Sequence, residues 1–237
     1  MSAVLKVLLL GFLLRNAHCE VFSVSLPEQM EALRGSCLTI PCSFTIEDKF
    51  KNDLKSGCKA KWIDVSDKNQ DVVFTRPTTG DLSQKNCTTT VHDLTEQQSP
   101  AVYFRLECDN PLKYSFQETQ LKINVNDAPP TPTLTPPTLS VREGQSVSVQ
   151  CSAPVQCLSL PPTLTWSPVL GHIQETLQEQ EDKTYVKVST LNFTASEPKT
   201  RLTCSAVYSR DDGTNVTSDA QIMVIVICEL LFVKYVP

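Results

Sequence analysis

The stretch "AVYFRLECDN", residues 101–110, decides how this chain folds. Val102, Phe104, Leu106 and Cys108 alternate with Tyr103, Arg105 and Glu107. Such a period of two belongs to a β-strand with one apolar and one wet face. Arg105 therefore projects outward from a strand whose next residue back, Phe104, turns inward. The same alternation recurs upstream. In "CKAKWIDV", residues 58–65, Cys58, Ala60 and Trp62 share a face, while Lys59 and Lys61 take the other. In "GSCLTIPCSF", residues 35–44, Leu38, Ile40, Cys42 and Phe44 line an apolar face and Cys37 falls on the opposite one.

Short β-type runs separated by turn residues, with no helical period, continue to "AQIMVIV" at 220–226. They divide at "NDAPPTPTLTPP", 126–137, where proline removes backbone donors and stiffens the chain. The second block carries Cys151, Trp166 and Cys204, the order of the strand B Cys, strand C Trp and strand F Cys of an immunoglobulin sandwich. The expected fold class is all-β: two tandem immunoglobulin-like β-sandwich domains, an N-terminal V-set domain and then a constant-type one. The expected boundaries are 20–126, a Pro-rich linker at 127–137, and 138–227, with 228–237 an unassigned tail. In the first block the strand F Cys position holds Phe104. Neither block shows a tyrosine corner, since Leu202 precedes Cys204 by two and Val102 precedes Phe104 by two.

Strand parity assigns the cysteines. Cys42 faces inward on strand B, and Cys87, with Thr89 and Val91, begins a strand expected beside it, so a Cys42–Cys87 bridge lies within one sheet. Strands C and F are antiparallel neighbours with Trp62 near Phe104; four residues further along each, Cys58 meets Cys108. Outward Cys37 and Cys157 then remain, and pairing them clamps the two domains across the linker. Cys151 pairs with Cys204, and Cys228 is left over. Zinc is a poor alternative, because no CxxC pair occurs in a chain that reads as secreted. The register also places Lys61 across from Arg105 and Lys59 across from Glu107. Opposed like charges are mildly unfavourable, so Lys61 beside Arg105 makes sense where an anion visits, while Lys59–Glu107 reads as a structural pair.

The wider composition bounds the class. "MSAVLKVLLLGFLLRNAHCE" has an early Lys, an apolar run and small residues before Glu20, the pattern of a secretory signal at 1–19. Ten cysteines and the sequons at Asn86, Asn192 and Asn215 fit the secretory route and an extracellular or cell-surface location. A net charge of −5 argues against nucleic-acid binding. The lysine run Lys49, Lys51, Lys55, Lys59 and Lys61 reads as a solvated loop with part of a strand. The apolar stretch near the C-terminus is broken by Glu229 and falls short of a membrane span, so no membrane anchor is encoded convincingly.

Cys37-x4-Cys42, "NCT" at Asn86, "YFR" at Tyr103, "KYSF" at Lys113, and Cys151 with Cys157 together resemble the siglecs, the sialic-acid-binding immunoglobulin-like lectins. The resemblance covers about residues 20–220. It implies an intrasheet and an inter-domain disulfide, matching two of the pairs above. It implies that Arg105 binds the sialic acid carboxylate, a planar fork of donors meeting a planar anion. By the same resemblance Tyr114 packs on the sugar's glycerol tail, with Lys113 and Ser115 flanking backbone groups that bond to it. Counted back from inward Leu121, Ile123 and Val125, Tyr114 is outward if no bulge intervenes. Phe22 matches a strand A aromatic that contacts the N-acetyl group, although its parity with Val24 and Leu26 puts it on the core face. Pro100 stands where the family tends to have Gly, and Cys58 with Cys108 departs from its usual pattern.

The expected function is therefore that of a calcium-independent lectin for sialylated glycans, acting in cell adhesion or immune-cell regulation, with no cofactor and no metal. A protein-binding immunoglobulin-superfamily receptor, or a secreted fragment that has lost sugar recognition, is the alternative. An enzyme is disfavoured: past the signal only His92 and His172 remain as histidines, and no GxSxG-type nucleophile motif occurs.

Overall fold

The computed structural model describes residues 21–55, 57–66, 72–74, 78–95, 101–197 and 199–227. The expected signal peptide, Pro100, Cys228 and the tail at 228–237 lie outside the described residues.

The first domain contains β1 (Ser23–Ser25), β2 (Gln29–Leu33), β3 (Leu38–Ile40), β4 (Ser43–Thr45), β5 (Cys58–Asp64), β6 (Thr78–Thr79), β7 (Thr89–Val91), β8 (Ala101–Cys108) and β9 (Lys113–Asn126). The second contains β10 (Thr133–Thr135), β11 (Leu139–Arg142), β12 (Ser146–Val155), β13 (Thr163–Ser167), β14 (His172–Glu179), β15 (Tyr185–Thr194), β16 (Lys199–Ser209) and β17 (Asn215–Ile227). Both are immunoglobulin-like sandwiches. In the first, the sheet β2-β9-β8-β5 faces the strands β3-β7-β6, extended by the pair β1-β4. In the second, β10-β12-β15-β14 faces β11-β17-β16-β13, the constant-type arrangement. Thr133–Thr135 was expected as linker. It pairs with β12 instead, through Leu134 opposite Cys151. Strand edges tolerate flanking prolines, and these three residues lie on an edge strand.

β5 and β8 pair with Lys61 opposite Arg105, Trp62 opposite Phe104 and Cys58 opposite Cys108. Among the described residues four disulfides form: Cys42–Cys87, Cys58–Cys108, Cys151–Cys204 and Cys37–Cys157. In the second domain Cys151–Cys204 crosses between the two sheets. The first domain has no disulfide there. Phe104 fills the space, fully buried, with its ring centroid 5.5 Å from Phe116, 5.6 Å from Phe44 and 5.8 Å from Trp62. Rings at these separations attract one another beyond the apolar area they bury. A tryptophan indole also ties the two sheets of each domain together. The Trp62 indole donates to Thr89 Oγ1 at 3.0 Å, and the Trp166 indole donates to Ser189 Oγ at 2.9 Å. A buried indole N–H needs such an acceptor.

The domains meet through more than the Cys37–Cys157 bond. Gln156 accepts from Leu33 N at 3.2 Å, donates to Glu31 O at 3.1 Å, and its own carbonyl accepts from Thr39 N at 2.7 Å. Leu33 packs into the core of the second domain. Asp211 accepts from Asp93 N at 2.7 Å and contacts His92 Nδ1 at 3.3 Å. Cys37, His92 and Asp211 thus cluster, but the Cys37 sulfur is already bonded to Cys157, so the group is an inter-domain seam rather than a metal site.

Two substitutions separate these contributions. Phe104→Ala empties a ring from the first core and should cost about 3–5 kcal/mol. Thr89→Val leaves the Trp62 N–H without its acceptor and should cost about 1–3 kcal/mol. Urea unfolding measures both, and a Phe104→Ala loss no larger than that of Thr89→Val contradicts the aromatic cluster's role.

Candidate functional site

The outward face of β5, β8 and the start of β9 carries the charged residues. Arg105 lies in mid-strand on β8, and its side chain keeps 26% of its surface exposed. The guanidinium is held on two sides. Nε donates to Glu107 Oε2 at 3.2 Å, and Nη1 donates to Ser115 Oγ at 2.6 Å. Among the described residues Nη2 donates to none. A fork fixed at Nε and Nη1 is pre-oriented, and its remaining tine faces whatever anion approaches.

Glu107 is the centre of the cluster. Its Oε2 also accepts from Lys61 Nζ at 3.0 Å, so one oxygen serves two cations. Hydrogen bonds from Lys61, and then from Arg105, hold the Glu107 carboxyl below the ordinary carboxylate range. The expected Lys59–Glu107 pair does not form: Lys59 is the residue directly opposite, but the diagonal partner Lys61 takes the carboxylate. The physical reason is the repulsion between Lys61 and Arg105, which a shared carboxylate between them removes. The juxtaposition of those two cations consequently does not require a visiting anion. Further along this face Ile63 and Tyr103 lie opposite each other and are buried, at 1% and 5% exposure, so the open part of the face ends at Arg105.

β9 departs from the simple count. Tyr103 pairs with Gln120 but Arg105 pairs with Ser115, so β9 passes five residues while β8 passes two. The three extra residues form a bulge, and an odd number reverses the parity of everything before it. Lys113 and Ser115 therefore share the face of Arg105, opposite Glu107 and Arg105 respectively. Tyr114, expected outward, pairs with buried Leu106 and lies on the other face, at the strand end, 38% exposed. There it stacks on Phe22, with centroids 4.0 Å apart and planes within 6°, and meets Phe116 edge-on at 4.8 Å. Phe22 is half-buried against the first core, the place its parity gave it. The structure thus brings together Arg105, Ser115, Lys113 and Lys61, and sets Phe22 and Tyr114 side by side around the sheet's end.

Two functions were missed by sequence reasoning. Alternation reads Glu107 as half of a structural pair with Lys59, whereas in the structure it clamps Arg105. The resemblance gives Ser115 a place beside backbone groups, whereas its hydroxyl accepts from the Arg105 guanidinium. The polar run "QETQ" at 117–120 interrupts the period-two pattern where β9 leaves its register. The sequons differ in setting. Asn86 and Asn215 are exposed, while Asn192 is half-buried within β15, with Gly171 so close to the Asn192 carbonyl that no Cβ fits at 171.

No family model matches the sequence. Among curated proteins, rat "Myelin-associated glycoprotein" is 27% identical over 206 residues, covering 77% of this chain and 31% of that protein. Human "Sialic acid-binding Ig-like lectin 5" is 23% identical over 218 residues, covering 84% of this chain and 37% of that protein. Mouse "Myeloid cell surface antigen CD33" is 24% identical over 218 residues, covering 85% and 51%. The chain spans about a third to a half of the length of these relatives. Among solved structures, the D1–D2 fragment of Rst aligns with a TM-score of 0.35 at 16% identity, covering 89% of this chain and 100% of that one. The full ectodomain of mouse nectin-like molecule 4 aligns with a TM-score of 0.37 at 15% identity, covering 85% and 67%. Among the described residues no helix is long and apolar enough to cross a membrane. The homologues of this chain are siglec-family proteins, at 23–28% identity over most of its length.

Proposed function

We propose that this protein is a lectin of the cell surface that recognises terminal sialic acid, with no reaction to catalyse and no need of calcium. The observation that carries this is Arg105: a permanent cation on an open strand face, oriented by Glu107 and Ser115, with Nη2 unpartnered among the described residues. A carboxylate is the ligand group that such a fork grips best, because planar donors meet planar acceptors. Lys113 and Ser115 lie on the same face and border the bound sugar. The Phe22–Tyr114 stack offers apolar surface at the sheet's end, where a sugar overhanging β9 places its non-polar C–H groups. Homology to sialic-acid-binding lectins supports the choice of acid. The two-domain unit is the part that presents this face, and its cell-surface location is proposed from the same relatives.

The most direct test uses cells or beads displaying sialylated glycans. Binding should disappear after sialidase treatment and for Arg105→Ala, while Arg105→Lys retains charge but loses the planar fork and binds at least about tenfold more weakly. Binding that survives both sialidase and Arg105→Ala contradicts the proposal. Attachment to an unglycosylated protein, unaffected by free sialic acid, would point instead to a protein receptor.

A pH profile tests the clamp. The folded Glu107 carboxyl titrates below its ordinary range, so the clamp is fully formed at neutral pH and is lost only as pH falls through that depressed value. Affinity for a methyl sialoside should stay level between about pH 7 and 5 and drop only below the usual carboxylate midpoint near about 4.3. A decline centred at or above that midpoint contradicts a pre-formed Lys61–Glu107–Arg105 cluster.

A further inference from the structure

A crevice of about 300 Å³ separates the outer side of the first domain from the β14–β15 hairpin of the second. Leu26, Thr39 and Asn86 line it from one side, and Val155, Leu158 and Tyr185 from the other. Its walls mix apolar and polar surface: Leu158 is exposed, Tyr185 is half-buried, and the hairpin adds the Lys183–Glu179 pair at 3.3 Å. The size is at the small end of ligand-binding clefts.

Asn86 opens the sequon Asn86-Cys87-Thr88, and its side chain stands on the crevice wall. Oδ1 accepts from Thr88 N at 2.9 Å, which fixes the amide. Nδ2, the atom that carries an N-linked sugar, donates to no group among the described residues. Gly80 keeps the surroundings open. A Cβ there would lie 3.0 Å from Nδ2 and 2.8 Å from Oδ1, against the amide itself. Thr88 is tied in turn to Cys42, whose disulfide to Cys87 immobilises the whole sequon.

We propose that an N-linked glycan on Asn86 places its innermost N-acetylglucosamine in this crevice, against Leu158 and Tyr185, as a strut between the domains. A pyranose ring suits the lining, since it presents hydroxyls at its rim and C–H groups on its faces. The strut adds a contact from Asn86 to those that Thr39, on the same crevice wall, makes with Gln156 and Leu158, so it resists a tilt that the Cys37–Cys157 bond alone permits. The inference is independent of Arg105 and of sugar recognition.

The test is hydrogen exchange on the two-domain chain carrying Asn192→Gln and Asn215→Gln, which leaves Asn86 as the one sequon. Three forms are compared: the full glycan, the glycan trimmed by an endoglycosidase to a single N-acetylglucosamine, and Asn86→Gln. Peptides covering 179–186 and 155–160 should be equally protected in the first two and exchange several-fold faster in the third, with 113–126 unchanged. Should Asn86→Gln fail to fold, protein released from its glycan by a peptide-N-glycosidase takes its place. Equal exchange with and without the inner sugar overturns the proposal, as does mass spectrometry showing Asn86 unmodified.

Discussion

Alternation at two adjacent residues governs the first domain. Phe104 turns inward because Phe44, Phe116 and Trp62 form a place for its ring, and a β-strand then has no choice but to turn Arg105 outward. In an ordinary immunoglobulin sandwich a disulfide between the sheets would occupy the Phe104 position. Here the disulfide has moved within one sheet, to Cys42–Cys87, and aromatic packing with the Trp62–Thr89 hydrogen bond ties the sheets instead. The ring cluster fixes inward and outward faces without a covalent bond between the sheets. It also leaves the neighbouring strand position free to carry a charge.

That charge is not left bare. Glu107, two residues on and so on the same face, draws Lys61 and Arg105 onto one carboxylate oxygen. The cluster carries a formal charge of about +1, rather than +2 with two cations in repulsion. It remains attractive to an anion while its geometry stays fixed. Ser115 completes the support from β9, and Cys58–Cys108 fastens the end of the β5–β8 pair nearest Glu107. The Cys37–Cys157 bond and the Gln156 hydrogen bonds join the two domains.

Much of this was legible in the sequence because period-two patterns count residues directly. The β5–β8 register follows from placing Trp62 near Phe104, and with it the meeting of Cys58 and Cys108. Cys37 falls outside the first core by parity alone. Counting failed on β9, where three extra residues between Ser115 and Gln120 reverse the parity and move Tyr114 to Phe22. Nothing in side-chain type marks such a bulge reliably, since it costs one local irregularity and is compensated by packing of Phe116. The Glu107 clamp escaped for a different reason. Register gives the residue directly opposite, Lys59, but long side chains choose partners by summed electrostatics, and the diagonal Lys61 gains more. Thr133–Thr135 read as linker because proline flanks it, yet an edge strand needs few donors.

The decisive measurement is a crystal structure of the two-domain protein with a methyl α-sialoside. The account predicts the sugar carboxylate within hydrogen-bonding distance of Arg105, reached through Nη2, with Glu107 still bonded to Nε and Phe104 still packed beneath. A sialoside bound elsewhere, or an Arg105 side chain folded into the interior with no access to the sugar, contradicts it.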